Sequence, residues 1–158
     1  MDGPPPDDVR LRDATHDDLP IFYEHQRDPV ASRMAAFASR DLDAFMEHWT
    51  SRILENETGV AKTVLVGGRV AGNILAFDHD GRREIGYWIG REFWGRGVAT
   101  RALAAFLVEV TERPLYAGVA RHNLASIRVL EKNGFEIADQ PVEPAADGIE
   151  ELLLRLEA

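Results

Sequence analysis

Residues 84–100 place an apolar strand, a turn with two glycines and the start of a helix in direct succession. The turn contains Gly95 and Gly97, and the helix begins at Val98–Thr100. Glycines in such a turn let the backbone approach a ligand closely. Because the free amides at a helix start favour negative charge, the segment predicts a cradle for a phosphorylated ligand.

The spacing of the glycines excludes two common phosphate loops. A Walker loop needs Gly-x-x-x-x-Gly-Lys-Ser/Thr, but here Gly90 and Gly95 are followed by Arg96. The dinucleotide fingerprint Gly-x-Gly-x-x-Gly fails because Thr100 stands where the third glycine is needed. Taken alone, the two glycines could also serve only the geometry of a strand–helix turn.

A second segment, Asn123–Phe135, contains Asn-x-x-Ser followed by Glu-Lys-x-Gly-Phe. Together with Trp94-Gly-x-Gly97, it resembles the GNAT N-acetyltransferases, whose pyrophosphate loop is usually written Gln/Arg-x-x-Gly-x-Gly/Ala. It is most similar to the branch that acetylates the N-termini of ribosomal proteins. The resemblance covers residues 9–139 and is strongest over residues 84–135.

Hydrophobic periodicity and turn residues predict the element order β-α-α-β-β-β-α-β-α-β-β. This order indicates an α/β (α+β) fold, with a mixed and mostly antiparallel central sheet flanked by helices on both faces. The resemblance implies that the strands Glu84–Ile89 and Leu115–Val119 splay apart and admit the pantetheine arm of acetyl-CoA. We expect Met1–Asp8 to be a disordered tail and residues 9–158 to form a single N-acetyltransferase domain.

Composition restricts the partners of this 158-residue chain. A net charge of −9 argues against a nucleic-acid partner and favours cationic or neutral ones. The absence of cysteine excludes disulfides and a thiol nucleophile. No apolar run reaches membrane-spanning length and the N-terminus is not signal-like, so we expect a cytoplasmic protein without a membrane partner. The histidines show no metal-ligand spacing, so no metal is expected.

The resemblance implies that the chain is an acetyl-CoA-dependent N-acetyltransferase. An acetyl group would pass from acetyl-CoA to a primary amine by direct attack, without a covalent enzyme intermediate. The amine could belong to a protein N-terminus or to a small molecule. The implied cofactor-binding residues are Trp88, Ile89, Trp94, Gly95, Arg96, Gly97, Val98, Ala99, Thr100, Asn123 and Ser126.

Several of these residues also have an ordinary structural interpretation. Arg96 could be a solvated charge, Asn123 an N-cap, and Ser126 a serine that bonds back to its own helical turn. Trp94 stands where the family usually has glutamine or arginine, which removes one side-chain contact to phosphate.

Two catalytic residues are expected, a base and a proton donor. Glu84 is the leading base, although it could instead be a strand-end charge paired with a neighbouring arginine. Many family members have a tyrosine as general acid directly before Glu-Lys-x-Gly-Phe, but this chain has Leu130 there. Ser126 is the best substitute by placement. Tyr116 and Tyr87 are further candidates, but as strand residues they are more often packing residues.

The acceptor site is expected in two loops, Val30–Arg40 and Pro141–Gly148. The first loop offers the apolar side chains Met34 and Phe37. Glu143 and Asp147 of the second loop, and Glu150 just after it, offer carboxylates for a cationic amine. Two other functions remain open, a degenerate acyl-CoA-binding sensor or interaction domain and an unrelated nucleotide-binding α/β protein. An exposed strand edge near the C-terminus could also pair with a second copy to form a homodimer.

Overall fold

A computed structural model describes residues 8–35, 40–138 and 151–158. Within these residues the chain forms seven strands and five α-helices. The strands are β1 (Val9–Asp13), β2 (Val60–Val66), β3 (Arg69–His79), β4 (Arg82–Ile89), β5 (Leu115–Ala120), β6 (Glu136–Ile137) and β7 (Glu151–Leu156). The helices are α1 (Leu19–Arg27), α2 (Pro29–Ala35), α3 (Leu42–Glu47), α4 (Val98–Glu109) and α5 (Leu124–Lys132).

The strands form one seven-stranded sheet in the order β1-β2-β3-β4-β5-β7-β6. All neighbouring strands are antiparallel except β4 and β5, which run parallel. The predicted mixed, mostly antiparallel sheet is therefore confirmed. The single parallel neighbour arises because α4 connects β4 to β5 and returns the chain to the same end of the sheet.

Helices cover both faces of this sheet, as predicted. On one face, Leu103 and Phe106 of α4 and Leu130 of α5 belong to the same buried core as Ile74 and Ile85 of the sheet. On the other face, Phe22 of α1 and Trp49, just beyond α3, pack with ring centroids 4.9 Å apart. The sheet is therefore a middle layer with an apolar core on either side.

A buried carboxylate ties α1 to the sheet. Asp18 accepts two hydrogen bonds of 2.7 Å from Arg12 of β1, one of 2.7 Å from Thr63 Oγ1 of β2 and one of 3.0 Å from the Thr15 amide. Burial alone would raise the pKa of Asp18, but the hydrogen bonds from Arg12, Thr63 and Thr15 outweigh it and lower the pKa to about 2. These bonds hold the start of α1 against β1 and β2.

The segment after α1 contains a helix that the predicted element order did not include. The sequence predicts that Asp28 and Pro29 end the preceding helix and that Val30–Arg40 forms a loop or a short helix. In the structure α1 ends at Arg27 and α2 begins directly at Pro29. Proline is tolerated at this first position because its missing N–H has no partner there in any case.

Part of the sequence prediction falls outside the described residues. This applies to residues 1–7 of the expected tail, to Phe37 and to the whole of Pro141–Gly148 with Glu143, Asp147 and Glu150. The short strand β6 lies at one edge of the sheet, and the expected homodimer along such an edge remains a prediction.

Two further features were sought in the described residues: a membrane-spanning helix and a metal-binding group. None of their helices is long and apolar enough to cross a membrane. None of their histidine, aspartate and glutamate side chains form a group of three or more that could hold a metal ion.

Candidate active site

The two parallel strands at the centre of the sheet are joined at one point only. The register between β4 and β5 consists of a single pair, Glu84 and Tyr116. Beyond that pair β4 continues alongside β3 as far as Ile89, and β5 continues alongside β7 as far as Ala120. A split therefore opens between β4 and β5 towards their C-terminal ends.

A cavity of about 560 Å³ lies at this split. Its walls come from α2, the second half of β4, the loop before α4, the first turn of α4, and one side of α5 along its length. Every predicted cofactor residue lines it except Arg96. Met34 of α2, predicted for the acceptor side, lines it as well.

The loop before α4 has the geometry of an anion cradle. Gly95 and Gly97 have positive φ angles of 77° and 74°, and a Cβ built on either glycine meets no atom within 4 Å. The first intrahelical bond runs from the Arg101 amide to the Gly97 carbonyl, at 3.1 Å. The amides of the three residues between them have no acceptor within the helix, and all three residues line the cavity. These features fit a pyrophosphate group.

Trp94 fixes the cradle to the end of β4. Its indole Nε1 donates a 2.8 Å hydrogen bond to the carbonyl of Ile89, while the side chain remains 38% exposed. Trp94 thus holds the loop in place, which differs from the phosphate contact made by glutamine or arginine at this position in the family. The neighbouring carbonyl of Trp88 lies against Gly72 of β3.

The positively charged side chains that line the cavity come from α5. Arg128 and Lys132, four residues apart and therefore on one side of the helix, both line the cavity. The sequence suggests Arg128 as a phosphate contact but favours a surface salt bridge with Glu131 or Glu84 for it. Lys132 is not among the predicted residues, although its i,i+4 spacing from Arg128 is a signal that could have identified it. Arg96 instead stacks its guanidinium over the Phe93 ring, 5.6 Å from the centroid, and is exposed.

Asn123 and Ser126 occupy the start of α5 beside the cavity. Asn123 Oδ1 accepts a 3.2 Å hydrogen bond from the Ser126 amide, so Asn123 is an N-cap as well as a lining residue. Ser126 Oγ lies 2.6 Å from the hydroxyl of Tyr87 on β4. Burial raises the pKa of Tyr87 to about 12, with the bond to Ser126 acting in the opposite direction. Leu130, one turn further along, is 1% exposed in the core.

Glu84 lies where the split begins and is outside the cavity lining. Its side chain is buried, with Arg82 Nη2 3.5 Å from its Oε2. Burial raises the pKa of Glu84, and the charges of His79 and Arg82 reduce that shift. Glu84 is therefore paired with Arg82, as one interpretation of the sequence expected. It is also buried, and the raised pKa that results would suit a general base.

Alternation along β4 puts Glu84 and Tyr87 on opposite faces of the sheet. Gly86 pairs with Leu75, which packs against the core of α1 and α3, so Glu84 and Gly86 face that side. Tyr87 pairs with Ile74, which belongs to the core of α4 and α5. The split thus has a carboxylate on one face and a pair of hydroxyls on the other.

Comparisons with known proteins agree with this arrangement. The family model for the acetyltransferase (GNAT) domain matches residues 8–136. The fold and this match define an acetyltransferase domain. The chain belongs to the GNAT acetyltransferase family. A search of curated proteins gave no match.

Solved structures of the same fold include three acetyltransferases at low identity. Aminoglycoside acetyltransferase AAC(6')-Ib in complex with paromomycin and acetyl-CoA is 21% identical, with a TM-score of 0.78 over 96% of this chain and 94% of that one. Spermidine N-acetyltransferase from Vibrio cholerae, with CoA and spermine, is 15% identical, with a TM-score of 0.80 over 94% and 95%. The ribosomal L7/L12 α-N-protein acetyltransferase RimL, with CoA, is 17% identical, with a TM-score of 0.77 over 93% and 92%.

The cradle leads to a prediction with a matched glycine control. Gly97→Ala and Gly81→Ala both force a side chain into a positive-φ position, 74° and 75°, so each should lower the free energy of unfolding by about 1 kcal/mol. Only Gly97→Ala should also weaken acetyl-CoA binding, by about tenfold, because its Cβ fills the space that the ligand needs. Calorimetric titration and thermal unfolding measure the two effects. Equal acetyl-CoA affinity in the two variants would contradict the cradle.

Proposed function

We propose that this protein transfers an acetyl group from acetyl-CoA to a primary amine, by direct attack and without a covalent enzyme intermediate. The observation that carries the proposal is the split between β4 and β5, with the anion cradle beside it and a buried carboxylate where it begins. Three proteins of the same fold support it, since they are acetyltransferases in complex with acetyl-CoA or CoA.

The cradle and α5 hold the charged part of acetyl-CoA. The backbone amides of Gly95 and Gly97–Thr100 bind the pyrophosphate, and Arg128 and Lys132 supply positive charge from α5. Arg96 adds a cation at the solvent side. The backbone of Ile89 receives the pantetheine arm, whereas the Trp88 carbonyl faces β3 and Trp88 only lines the cavity. Asn123 and Ser126 contact the ligand from α5.

The chemistry needs a neutral amine and a stabilised leaving thiolate. Glu84 accepts the amine proton, directly or through one water, and burial makes its carboxylate a stronger base than an exposed one. Ser126 donates a hydrogen bond to the departing sulfur. Holding the two reactants together supplies the largest effect, an effective molarity on the order of 10⁵–10⁸ M.

The acceptor reaches the thioester from the face of α1 and α3. Gly86 leaves that face of β4 open between Glu84 and Trp88, since a Cβ built there meets only Phe77 Cε1, at 3.8 Å. Met34 of α2 adds an apolar wall. The three acetyltransferases of the same fold act on or bind three classes of amine: an aminoglycoside, a polyamine and a protein N-terminus. The acceptor of this protein is a primary amine from one of these classes.

The first experiment separates the enzyme from its alternatives. Calorimetric titration should show saturable binding of acetyl-CoA but not of ATP or NAD, and a panel of aminoglycosides, polyamines and N-terminal peptides should then release free thiol with at least one member. Binding of acetyl-CoA without thiol release from any of the three classes would favour an acyl-CoA sensor, an alternative that the buried Leu130 supports. Binding of ATP or NAD alone would overturn the proposal.

Glu84→Gln tests the base with the amine that the panel identifies. Turnover should fall on the order of 10²-fold while acetyl-CoA affinity stays unchanged, because only proton acceptance is lost. In the wild type, kcat/KM should decrease as the pH is lowered through the pKa of Glu84. This apparent pKa should be higher than that of an ordinary glutamate, since burial keeps Glu84 protonated up to a higher pH.

Glu112→Gln is the matched control for this variant. Glu112 also pairs with a neighbouring arginine, Arg83 at 3.1 Å, but it is exposed. We expect wild-type turnover from it. Full turnover in Glu84→Gln would remove Glu84 from the role of base.

Gly86→Ala tests the direction from which the acceptor arrives. The added methyl group is tolerated by the fold, so it should raise the KM for the amine several-fold and leave that for acetyl-CoA unchanged. Gly59→Ala, whose Cβ also makes only ordinary contacts at 3.4–3.5 Å, should change neither. An unchanged KM for the amine in both variants would place the acceptor elsewhere.

A further inference from the structure

Two hydroxyl groups, one on β4 and one on α5, are in contact at the cavity wall. The hydroxyl of Tyr87 lies 2.6 Å from Ser126 Oγ and 3.3 Å from the Ser126 carbonyl oxygen. Both residues line the cavity. The contact joins a strand edge at the split to the first turn of a helix, so it fixes the side chain of Ser126 relative to the opening.

The protons of the two hydroxyls can be assigned from their chemistry. Each hydroxyl has one proton to donate and two acceptor sites, and the phenol is the more acidic group. Either hydroxyl could donate in the 2.6 Å contact, which is shorter than the 3.3 Å contact from Tyr87 to the Ser126 carbonyl oxygen. Because the more acidic phenol is the stronger donor, we take Tyr87 as the donor in the short contact and Ser126 Oγ as the acceptor. Burial keeps Tyr87 protonated at neutral pH, since its pKa is about 12. The serine proton is then left to donate, and no other described residue hydrogen-bonds to that hydroxyl.

Other hydroxyls near the split are placed differently. Tyr116 pairs with Glu84 and so faces the side of α1 and α3, away from Ser126. Thr100 lines the cavity but belongs to the first turn of α4, in the phosphate cradle. Leu130, where many family members have a tyrosine, carries no hydroxyl and is buried.

We propose that Tyr87 is a positioning residue, which donates to Ser126 Oγ and thereby aims the Ser126 O–H at the sulfur of the leaving thiolate. The inference rests on the proposed transfer of acetyl from acetyl-CoA. In that step the amine nitrogen bonds to the acetyl carbon, the C–S bond breaks and its electron pair goes to sulfur. The amine proton passes to Glu84 and then to solvent, while Ser126 and Tyr87 keep their protons and stabilise the thiolate by hydrogen bonding.

The test uses CoA itself, so it does not need the acceptor amine. The pKa of the thiol of bound CoA is measured by the ultraviolet absorbance of the thiolate as pH is varied. Donation from Ser126 stabilises the thiolate, so Ser126→Ala should raise that pKa by about one unit. Tyr87→Phe should raise the pKa of the bound thiol by a smaller amount, because the serine proton remains but is no longer directed at the sulfur.

The double variant Tyr87→Phe/Ser126→Ala decides whether Tyr87 acts through Ser126. Its bound-thiol pKa should equal that of Ser126→Ala alone, because Tyr87 has no effect once the serine hydroxyl is gone. Tyr23→Phe is the matched control, since Tyr23 packs on Phe45 in the other core and should leave the thiol pKa unchanged. Affinity for desulfo-CoA, which lacks the sulfur, should be the same in all variants.

Each contrary result has a distinct meaning. A bound-thiol pKa unaffected by Tyr87→Phe, or additive effects in the double variant, would overturn the positioning role and leave the proposed function standing. A parallel loss of desulfo-CoA affinity in Tyr87→Phe would show a merely structural role. Failure of the wild type to bind CoA would overturn the proposed function, and this inference with it.

Discussion

The separation of β4 from β5 after a single pair is the constraint on which the rest of this site depends. A sheet interrupted at its centre leaves backbone groups without strand partners along two edges, and such groups need hydrogen bonds from elsewhere. The Gly90 amide donates to Ala71 of β3, so by alternation the groups of Tyr87 and Ile89 point into the split. Trp94 satisfies part of this need at Ile89, and the remainder suits an extended ligand with amide groups of its own, such as pantetheine.

The period of two along β4 also separates the chemical roles. Because neighbouring residues face opposite sides of the sheet, Glu84 lies on the α1 and α3 side and Tyr87 on the α4 and α5 side. In the proposed reaction the proton acceptor and the hydrogen-bond donor for the leaving group therefore approach the thioester from opposite faces. A shift in the register of β4 by one residue would exchange the two faces and remove both groups from their places.

The parts that could be predicted from sequence are those set by local rules. The cradle at Gly95 and Gly97 follows from a strand, a turn and a helix start, and the Asn123 cap from one side chain and a nearby amide. The Tyr87–Ser126 contact joins residues 39 positions apart, and no pattern within either segment specifies it. The same holds for the burial of Glu84, which depends on how the helices pack over the strand. The sequence does not decide whether a helix begins at Pro29, because an Asp-Pro step can end one helix and can also begin another.

The position of the Ser126 hydroxyl, which we propose faces the leaving group, follows from how α5 packs. Ser126 and Leu130 are four residues apart and lie on one side of the helix, but only Ser126 lines the cavity, while Leu130 is 1% exposed in the core. A tyrosine hydroxyl at residue 130 would need a buried hydrogen-bond partner in an apolar environment. One turn earlier, the shorter serine side chain does not reach as far, and the phenol of Tyr87 lies against it from β4. A hydroxyl from the strand thus contacts one from the helix. Under the proposed roles of Tyr87 and Ser126, the thiolate can be stabilised without a tyrosine at residue 130.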